Sequence, residues 1–383
     1  MMKRFTFLLA IAALGTIAAQ ATVFEANGIY YAITGENTVK VDRVPAEKAA
    51  TNPYKGVYII PEQVYYDGAN YTITAIGDSA FFQSKATEVQ IPNSVTTIGE
   101  CAFAYASDLT SITLPLHLSS VSKMMLAGAN VVSVAVPEGV KNIGWGAFQS
   151  CASLQTMLLP STTKTIEAYG YNNCQSLFEI YCAASKAPNA SGWAIFIGLS
   201  DIDVIVPDEE ALANYQANSV WGDESTFTLY TSEAFSLSME ETAEAYNEQY
   251  VRLPLGNNFA YKIYKGDQLL ALTAADYYYV PMAAGATTYT IVPTDMMNDS
   301  EATKIVVQPT GIRTVQEDAD APIVYGKEGA IHIHGNVGGQ MVSVFDTCGR
   351  LCFRRHANGD ELISLNSGIY VVVVGDKATK VRL

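Results

Sequence analysis

The sequence predicts a solenoid of stacked α/β repeats with short parallel strands, followed by one or two small all-β sandwich domains. Three observations support this prediction. A short apolar segment ending in proline recurs, and Pro92, Pro115, Pro137 and Pro160 lie 23, 22 and 23 residues apart. This period disappears after about residue 225, where short alternating apolar and polar segments begin. The 383 residues are 49% hydrophobic and 16% charged, which suits two or three folded domains and excludes global disorder.

Each repeat has a strand half and a turn half. The strand half alternates with period 2, and the turn half spaces its apolar residues three to four apart, as a helical or 3₁₀ turn would. A single unit cannot bury its own apolar edge, so the units must stack on one another. We therefore expect Ile91, Leu114, Val136 and Leu159 to form one column inside the solenoid. The proline-terminated strand segments are 89–92, 112–115, 134–137, 157–160 and 204–207.

The repeats resemble the BspA-like leucine-rich repeats of surface and secreted proteins of Bacteroidetes and some protists. The shared pattern is L-x-x-I-x-I-P-x-x-V-x-x-I-G-x-x-A-F-x-x-C. The resemblance implies an α/β leucine-rich-repeat solenoid over 61–224 that includes a C-terminal cap, preceded by an N-terminal cap hairpin region over 22–60. It also implies adhesion to host or bacterial partners. In the first unit, Asp67-Gly68 between apolar runs predicts a hairpin with a primed turn.

The N-terminus has the features of a secretory signal peptide over 1–21. A positively charged pair precedes a short apolar run, and Ala19 and Ala21 fit the small-residue cleavage pattern. The run is shorter than the roughly 20 residues that a membrane span needs. We therefore expect a secreted or outer-membrane-surface protein that has no transmembrane segment after signal removal.

The second half is predicted to contain a β-sandwich over 225–312 and a β domain over 313–383. The end of the chain resembles the C-terminal sorting domain of the type IX secretion system. The matching positions are Gly349 in the V-F-D-x-x-G-R turn, Gly368 and Tyr370 in the S-G-I-Y-V-V strand, and Lys380 in the basic last strand. The resemblance implies export by the type IX machinery. The alternative is a generic terminal β-sandwich.

Charge and motifs limit the possible functions. With a formal charge of −15, the chain repels phosphate backbones, so nucleic acid and anionic membranes are poor partners. The sequence lacks the G-x-S-x-G, G-x-G-x-x-G and P-loop patterns. We predict no catalytic residue, no metal site and no cofactor.

The cysteines leave two questions open. Cys151 and Cys174 occupy the same inward position of adjacent repeats, where a disulfide is conceivable, but we favour a pair of buried thiols that act as small hydrophobic groups. Cys348 and Cys352 flank a turn and could either bridge a hairpin or stay free.

The middle residue of each repeat strand is predicted to point out of the exposed face of the sheet. This column turns from polar to apolar along the solenoid, and contiguous exposed apolar surface often marks an interface. We hypothesise that Leu158, Phe178, Tyr181 and Ile205 form a protein- or glycan-contacting patch. The alternative is that the following β-domain covers this end. The column is Gln90, Thr113, Ala135, Leu158, Tyr181 and Ile205.

The predicted function is therefore a secreted or cell-surface, non-enzymatic binding or adhesion protein whose solenoid contacts host or bacterial protein partners. The alternative is a glycan-binding accessory protein of a gut or oral bacterium. In that case the β-domain would contact sugar through aromatic clusters such as Tyr277, Tyr278 and Tyr279.

Overall fold

The computed structural model separates the chain into two compact units, Met1–Gln308 and Pro309–Leu383. The predicted signal peptide, with Ala19 and Ala21, lies outside the described residues. The structure describes residues 22–48, 54–190, 192–234, 243–247, 249–255, 259–282, 285–307, 323–327, 330–334, 341–346, 351–357, 359, 361–365, 369–374 and 377–382.

Two tight hairpins open the first unit. Asn27 and Gly28 have φ angles of 52° and 74°, and Asp67 and Gly68 have φ angles of 46° and 84°. Positive φ at both central residues defines the primed turn that matches strand twist, so the predicted Asp-Gly hairpin is confirmed. The strands here are β1 (Val23–Ala26), β2 (Ile29–Gly35), β3 (Thr38–Val41), β4 (Lys55–Ile59), β5 (Gln63–Tyr66) and β6 (Ala69–Ile76).

The repeats form a solenoid of parallel strands. The strands are β7 (Lys85–Gln90), β8 (Thr97–Ile98), β9 (Ser111–Thr113), β10 (Ser133–Ala135), β11 (Asn142–Ile143), β12 (Thr156–Leu159), β13 (Thr165–Ile166), β14 (Glu179–Cys182), β15 (Ile202–Val206) and β16 (Phe227–Thr231). Strands β4, β7 and β9 pair in parallel, and so do β10, β12, β14, β15 and β16, whereas β11 and β13 pair in a sheet of their own. Ile91, Leu114, Val136 and Leu159 are all buried in one core, which confirms the predicted interior column.

The turn half of each repeat is not helical, so the α/β label is too loose. Cys101, Gly146 and Tyr169 lie at corresponding positions of their coils with φ of 55°, 59° and 60°. A left-handed residue cannot continue a right-handed helix. The backbone donors bond to the next coil instead: the N–H of Phe103 donates to the carbonyl of Met125 at 2.8 Å. Within the described ranges, α1 (Glu209–Gln216) is the only helix.

The end of the solenoid lies beyond the predicted boundary at residue 224. Asp208 caps α1 by accepting a hydrogen bond from the N–H of Ala211 at 2.9 Å. Trp221 is fully buried behind the helix, and its Nε1 donates to the carbonyl of Pro188 at 2.8 Å. The chain then adds β16 to the parallel sheet, so the helix does not terminate the stack.

Two antiparallel sheets follow in the same unit and share one core. Leu253 and Val280 from the first sheet pack with Ile263, Ile291 and Ile305 from the second. The sheet orders are β17-β18-β21 and β20-β19-β22-β23. We call this part of the chain, residues 244–307, the docked sandwich. Its strands are β17 (Glu244–Ala245), β18 (Tyr250–Pro254), β19 (Ala260–Lys265), β20 (Gln268–Thr273), β21 (Tyr277–Pro281), β22 (Thr287–Thr294) and β23 (Thr303–Val307).

The second unit also contains two antiparallel sheets, β24-β25-β28 and β27-β26-β29-β30. Ile331, Ile333, Val342, Val344 and Val372 belong to its core. The strands are β24 (Ile323–Lys327), β25 (Ala330–His334), β26 (Met341–Asp346), β27 (Leu351–His356), β28 (Glu361–Ser364), β29 (Ile369–Val374) and β30 (Lys377–Arg382).

Two of the four sorting-like residues lie in these strands. Tyr370 is buried in β29, and Lys380 lies in β30 as the pairing partner of Val371. Gly349 and Gly368 lie outside the described residues. The sorting role of this unit therefore stays a prediction.

Candidate binding surfaces

The outward column of the parallel sheet has the predicted register. Gln90 is the neighbour of Thr113, Ala135 is the neighbour of Leu158, and Leu158 is in turn the neighbour of Tyr181. Because side chains of a strand alternate between its two faces, these residues share the outer face while their neighbours in sequence enter the core.

The docked sandwich covers most of this column. The hydroxyls of Thr113 and Thr273 lie 2.7 Å apart, and both side chains are buried. Leu158 packs in a buried cluster with Leu272 and Ala260. The centre of the sheet face is therefore an internal interface.

Hydrogen bonds fix the docked sandwich at two edge strands. Gln90 Nε2 donates to the carbonyl of Tyr279 at 2.9 Å, and the N–H of Tyr279 donates to Gln90 Oε1 at 2.9 Å. Asn93 Nδ2 donates to the carbonyl of Leu270 at 2.8 Å. Strands β20 and β21 each stand at the edge of their sheet, so these side chains satisfy backbone groups that an edge strand would leave unpaired.

The phenol of Tyr279 adds a third polar contact. Its hydroxyl donates to Glu88 Oε2 at 2.8 Å. Burial, followed by the hydrogen bond to the Glu88 carboxylate, raises the pKa of Tyr279 well above its ordinary value. The hydroxyl therefore stays protonated and acts as a donor across the interface.

The structure places the four residues of the hypothesised patch in different surroundings. Leu158 has no exposed area, so its predicted exposure is wrong: the docked sandwich lies over it. Phe178 is 47% exposed, but it precedes β14 and lies at the start of the strand, away from the outward column. Tyr181 and Ile205 are neighbours in that column and are half-buried.

One end of the outward column remains open. Ile205 is the register neighbour of both Tyr181 and Tyr230, and Tyr230 is 48% exposed. Tyr181 packs against Phe259 of the docked sandwich, with a ring-centre distance of 6.3 Å. We call Ile205 and Tyr230, together with Tyr181 at the margin of the docked sandwich, the uncovered column. Sequence analysis missed Tyr230 because β16 follows a helix and lacks the terminal proline of the repeat.

Two acidic side chains flank the uncovered column. Glu179 and Asp203 are register neighbours on β14 and β15. Burial raises the pKa of the Glu179 carboxyl, and the nearby negative charge of Asp203 raises it further. The uncovered column thus combines aromatic and aliphatic groups with an acidic margin.

The three consecutive tyrosines of β21 do not form an exposed platform. Tyr279 is buried against the solenoid, Tyr278 packs against the sandwich core, and the guanidinium of Arg252 lies over the ring of Tyr277 at 4.2 Å. Each of the three rings is thus in contact with another part of the protein.

A row of aromatic side chains lies on the turn half of the later coils. Ring centres are 5.1 Å apart for Trp145 and Tyr169, and 5.3 Å apart for Tyr169 and Trp193. Trp193 is 71% exposed. We call these three residues the aromatic row. Sequence analysis did not single them out, although they recur at intervals of 24 residues.

A cleft of about 1070 Å³ lies between the solenoid and the docked sandwich. Pro61 and Pro92 at the strand ends line one wall, and Leu270, Tyr278 and Tyr289 line the other. This size is enough for a small organic ligand or a short peptide segment.

The buried cysteines are thiols, as favoured from the sequence. Cys151 Sγ donates to the carbonyl of Leu126 and Cys174 Sγ to that of Phe148, each at 3.0 Å. Burial raises the pKa of Cys174 to about 12. Cys348, and with it the question of a Cys348–Cys352 bridge, lies outside the described residues.

In the described part of the chain, His, Cys, Asp and Glu side chains form no group of three that could hold a metal ion. In the same residues, no helix has the length and apolar character needed to cross a membrane.

Comparison with known families supports the repeat assignment. Residues 74–187 match the family model of the BspA type leucine-rich repeat region, in six copies. The resemblance inferred from the sequence is confirmed for this segment, which runs from β6 to just beyond β14. No curated protein matches the chain in sequence.

Several solved structures are similar to part of the chain. A leucine-rich repeat protein from Bacteroides ovatus is 23% identical, over 49% of this chain and 66% of its own length, with a TM-score of 0.33. A leucine-rich cell surface protein from Faecalibacterium prausnitzii is 17% identical, over 50% of this chain and 72% of its own, with a TM-score of 0.31. The pneumococcal vaccine antigen PcpA is 15% identical, over 50% of this chain and 51% of its own, with a TM-score of 0.39.

Proposed function

We propose that this protein is an exported, non-enzymatic binding protein that takes a host or bacterial protein partner on the uncovered column. The observation that carries the proposal is the exposure of Tyr230, which is 48%, in register with Ile205 and Tyr181. Tyrosine is a common anchor at protein interfaces because it combines a large apolar area with a polar tip.

Rigidity of the scaffold supports binding at this place. The uncovered column stands on three parallel strands that are paired in register, and its first residue packs against the docked sandwich. A preformed surface loses little conformational entropy when a partner binds. The side chains of the column offer hydrocarbon and phenol groups. Such groups favour binding of a partner over catalysis.

Features at both ends of the sequence support the export part of the proposal. The N-terminal pattern around Ala19 and Ala21 favours a cleaved signal peptide. The resemblance around Gly349, Gly368, Tyr370 and Lys380 favours export by the type IX machinery, with attachment at the outer surface or release. Mass spectrometry of the exported protein tests both. We expect Thr22 as its first residue, whereas an intact residue 1 would contradict the signal peptide and an intact Leu383 would weaken the cleavable sorting domain.

Binding to intact cells tests the partner class. We would measure binding of the labelled full chain to bacterial and epithelial cells, with and without protease treatment of the cells. We expect saturable binding that protease abolishes, and that the double variant I205S/Y230S weakens about tenfold with an unchanged melting temperature. The variant Phe178→Ser should weaken binding less. Protease-resistant binding, or wild-type binding by the double variant, would contradict the proposal.

A further inference from the structure

We propose that the aromatic row on the turn half of the solenoid binds an uncharged polysaccharide chain. The row consists of Trp145 after β11, Tyr169 after β13 and Trp193 in the segment between β14 and β15. The uncovered column lies on β14, β15 and β16 instead, so the two surfaces do not share residues. The inference therefore stands apart from the proposed protein-binding function.

The repeat geometry sets the spacing of the rings. Successive coils are joined by parallel strand pairs, which lie about 4.8 Å apart. The ring-centre distances of 5.1 and 5.3 Å follow this step, so each coil contributes one ring. In an extended polysaccharide, the distance from one sugar ring to the next is similar to the distance between neighbouring rings of the aromatic row. Successive sugar units can therefore contact successive aromatic side chains.

Backbone conformation holds the row in place. Gly146, Tyr169 and Ala194 occupy corresponding positions, with φ of 59°, 60° and 59°. Trp145 and Trp193 each lie one residue before this position. In the coil between them, the equivalent residue is the small Ala168. Tyr169, one residue later, fills the gap, and its N–H donates to the carbonyl of Trp193 at 3.1 Å.

The carboxylate of Glu167 fixes the start of the row. It accepts hydrogen bonds from the N–H of Trp145 at 3.0 Å and from Asn142 Nδ2 at 2.7 Å. These contacts anchor the backbone of Trp145, whose side chain is half-buried. The rings are thus preorganised, which lowers the entropic cost of binding.

Charge beside the row favours a neutral ligand. Lys123 Nζ lies 5.8 Å from the ring centre of Trp145, and it is 3.8 Å from Glu100 Oε2. Glu167 places a negative charge at the backbone N–H of the same residue. Positive and negative groups are therefore interspersed, and neither an anionic nor a cationic polymer is attracted.

The ring orientations favour a polymer of puckered units over a flat molecule. The planes of Trp145 and Tyr169 are inclined by 58°, and those of Tyr169 and Trp193 by 89°. One planar ligand cannot lie flat on rings that turn this much between neighbours. A chain of linked sugar rings can rotate at each linkage and stack its C–H groups on one ring after another.

Affinity electrophoresis of the full chain tests the proposal. Native gels would be cast with mannan, xyloglucan or amylopectin, which are uncharged and differ in linkage. We expect retarded migration in at least one gel. Trp193→Ala should weaken the retardation about tenfold, and its melting temperature should stay near that of the wild type.

A matched variant separates the row from exposed aromatic residues in general. Tyr65 is 67% exposed on β5, before the Asp67-Gly68 turn, and Tyr65→Ala should migrate like the wild type. No retardation in any of the three gels would overturn the proposal. Equal retardation of wild type and Trp193→Ala would also overturn it. So would a Trp193→Ala effect on self-association without any effect on retardation, since that result assigns the row to a second copy of this chain.

Discussion

The side-chain amide of Gln90 pairs with both backbone polar groups of Tyr279, through two hydrogen bonds of 2.9 Å. An amide that both donates to and accepts from one residue reproduces the pairing of a neighbouring strand. The solenoid thereby protects the edge of β21, and the docked sandwich in return covers the solenoid. The surface that sequence reasoning assigned to a ligand is to a large extent occupied by the protein itself.

Removing this amide should loosen the docked sandwich. Gln90→Ala leaves two backbone groups of Tyr279 without partners, and we expect a loss of about 1–3 kcal/mol in unfolding free energy. Hydrogen exchange should accelerate in Tyr277–Pro281. The exposed Gln155 is a matched control, since Gln155→Ala should change stability by less than about 0.5 kcal/mol. Unchanged exchange in β21 of the Gln90 variant would contradict the pairing.

Substitution of Leu158 distinguishes a covered face from an open one. Leu158→Ala removes a fully buried side chain from the cluster with Leu272, and we expect a cost of about 2–5 kcal/mol in urea unfolding. Phe178→Ser should cost far less because Phe178 is 47% exposed. Similar small losses for both variants would indicate that the sandwich does not cover Leu158.

Truncation of Trp221 should cost much more stability than truncation of Trp193. Trp221 is fully buried and meets Phe196 and Phe227 at ring-centre distances of 5.3 and 5.4 Å, so Trp221→Ala should cost about 3–5 kcal/mol. Trp193→Ala should lower the free energy of unfolding by less than about 1 kcal/mol, because it removes only an edge-to-face contact with Tyr169. Thermal melts of the two variants check this order, and a reversed order would contradict the burial of Trp221 at the end of the solenoid.

The thiols should differ in reactivity by position. Cys151 and Cys174 are fully buried, and burial raises the pKa of both, whereas Cys101 is only partly buried. Since the thiolate is the reactive form, iodoacetamide should modify Cys101 in the native protein faster than the other two, which it should reach only on unfolding, even at pH 9. Mass spectrometry of the labelled peptides reports each site. Rapid native labelling of Cys174 would contradict its burial.

Neutralising Glu179 should stabilise the protein at neutral pH. Its pKa is raised in the folded state, so above that pKa the ionised carboxyl opposes folding, and the penalty fades as pH falls through the raised value. We expect Glu179→Gln to gain less than about 1 kcal/mol at pH 7, because the side chain is only half-buried, and to gain nothing at pH 3. Glu224→Gln, at an exposed position, is the control. A Glu179 variant that is less stable than the wild type at pH 7 would refute this account.

Periodicity made the solenoid predictable. Ile91, Leu114 and Val136 recur at the same position of successive repeats. Apolar residues that recur in this way stack on one another in a shared core. The same alternation predicted that Gln90 and Thr113 point outward, which the register confirms. These inferences concern residues at equivalent positions of successive repeats, and the repeat period identifies such residues directly.

The repeat pattern does not predict which part of the protein covers the outward column. The contact between Thr113 and Thr273 joins residues 160 positions apart, and no repeat pattern relates them. The open end was missed for a related reason, since β16 lacks the repeat signature although it pairs with β15. Such contacts depend on how the solenoid packs against the docked sandwich, and the spacing of residues within a repeat does not predict this packing.

A disulfide across the interface tests the central claim that the docked sandwich covers the parallel sheet. The hydroxyls of Thr113 and Thr273 lie 2.7 Å apart, so cysteines at both positions should bridge on mild oxidation. Thr303 lies on β23, at the far edge of the sheet that begins with β20, so a T113C/T303C pair should not bridge. Peptide mapping by mass spectrometry should find a near-complete 113–273 bond in T113C/T273C, whereas free thiols at both positions would contradict the claim.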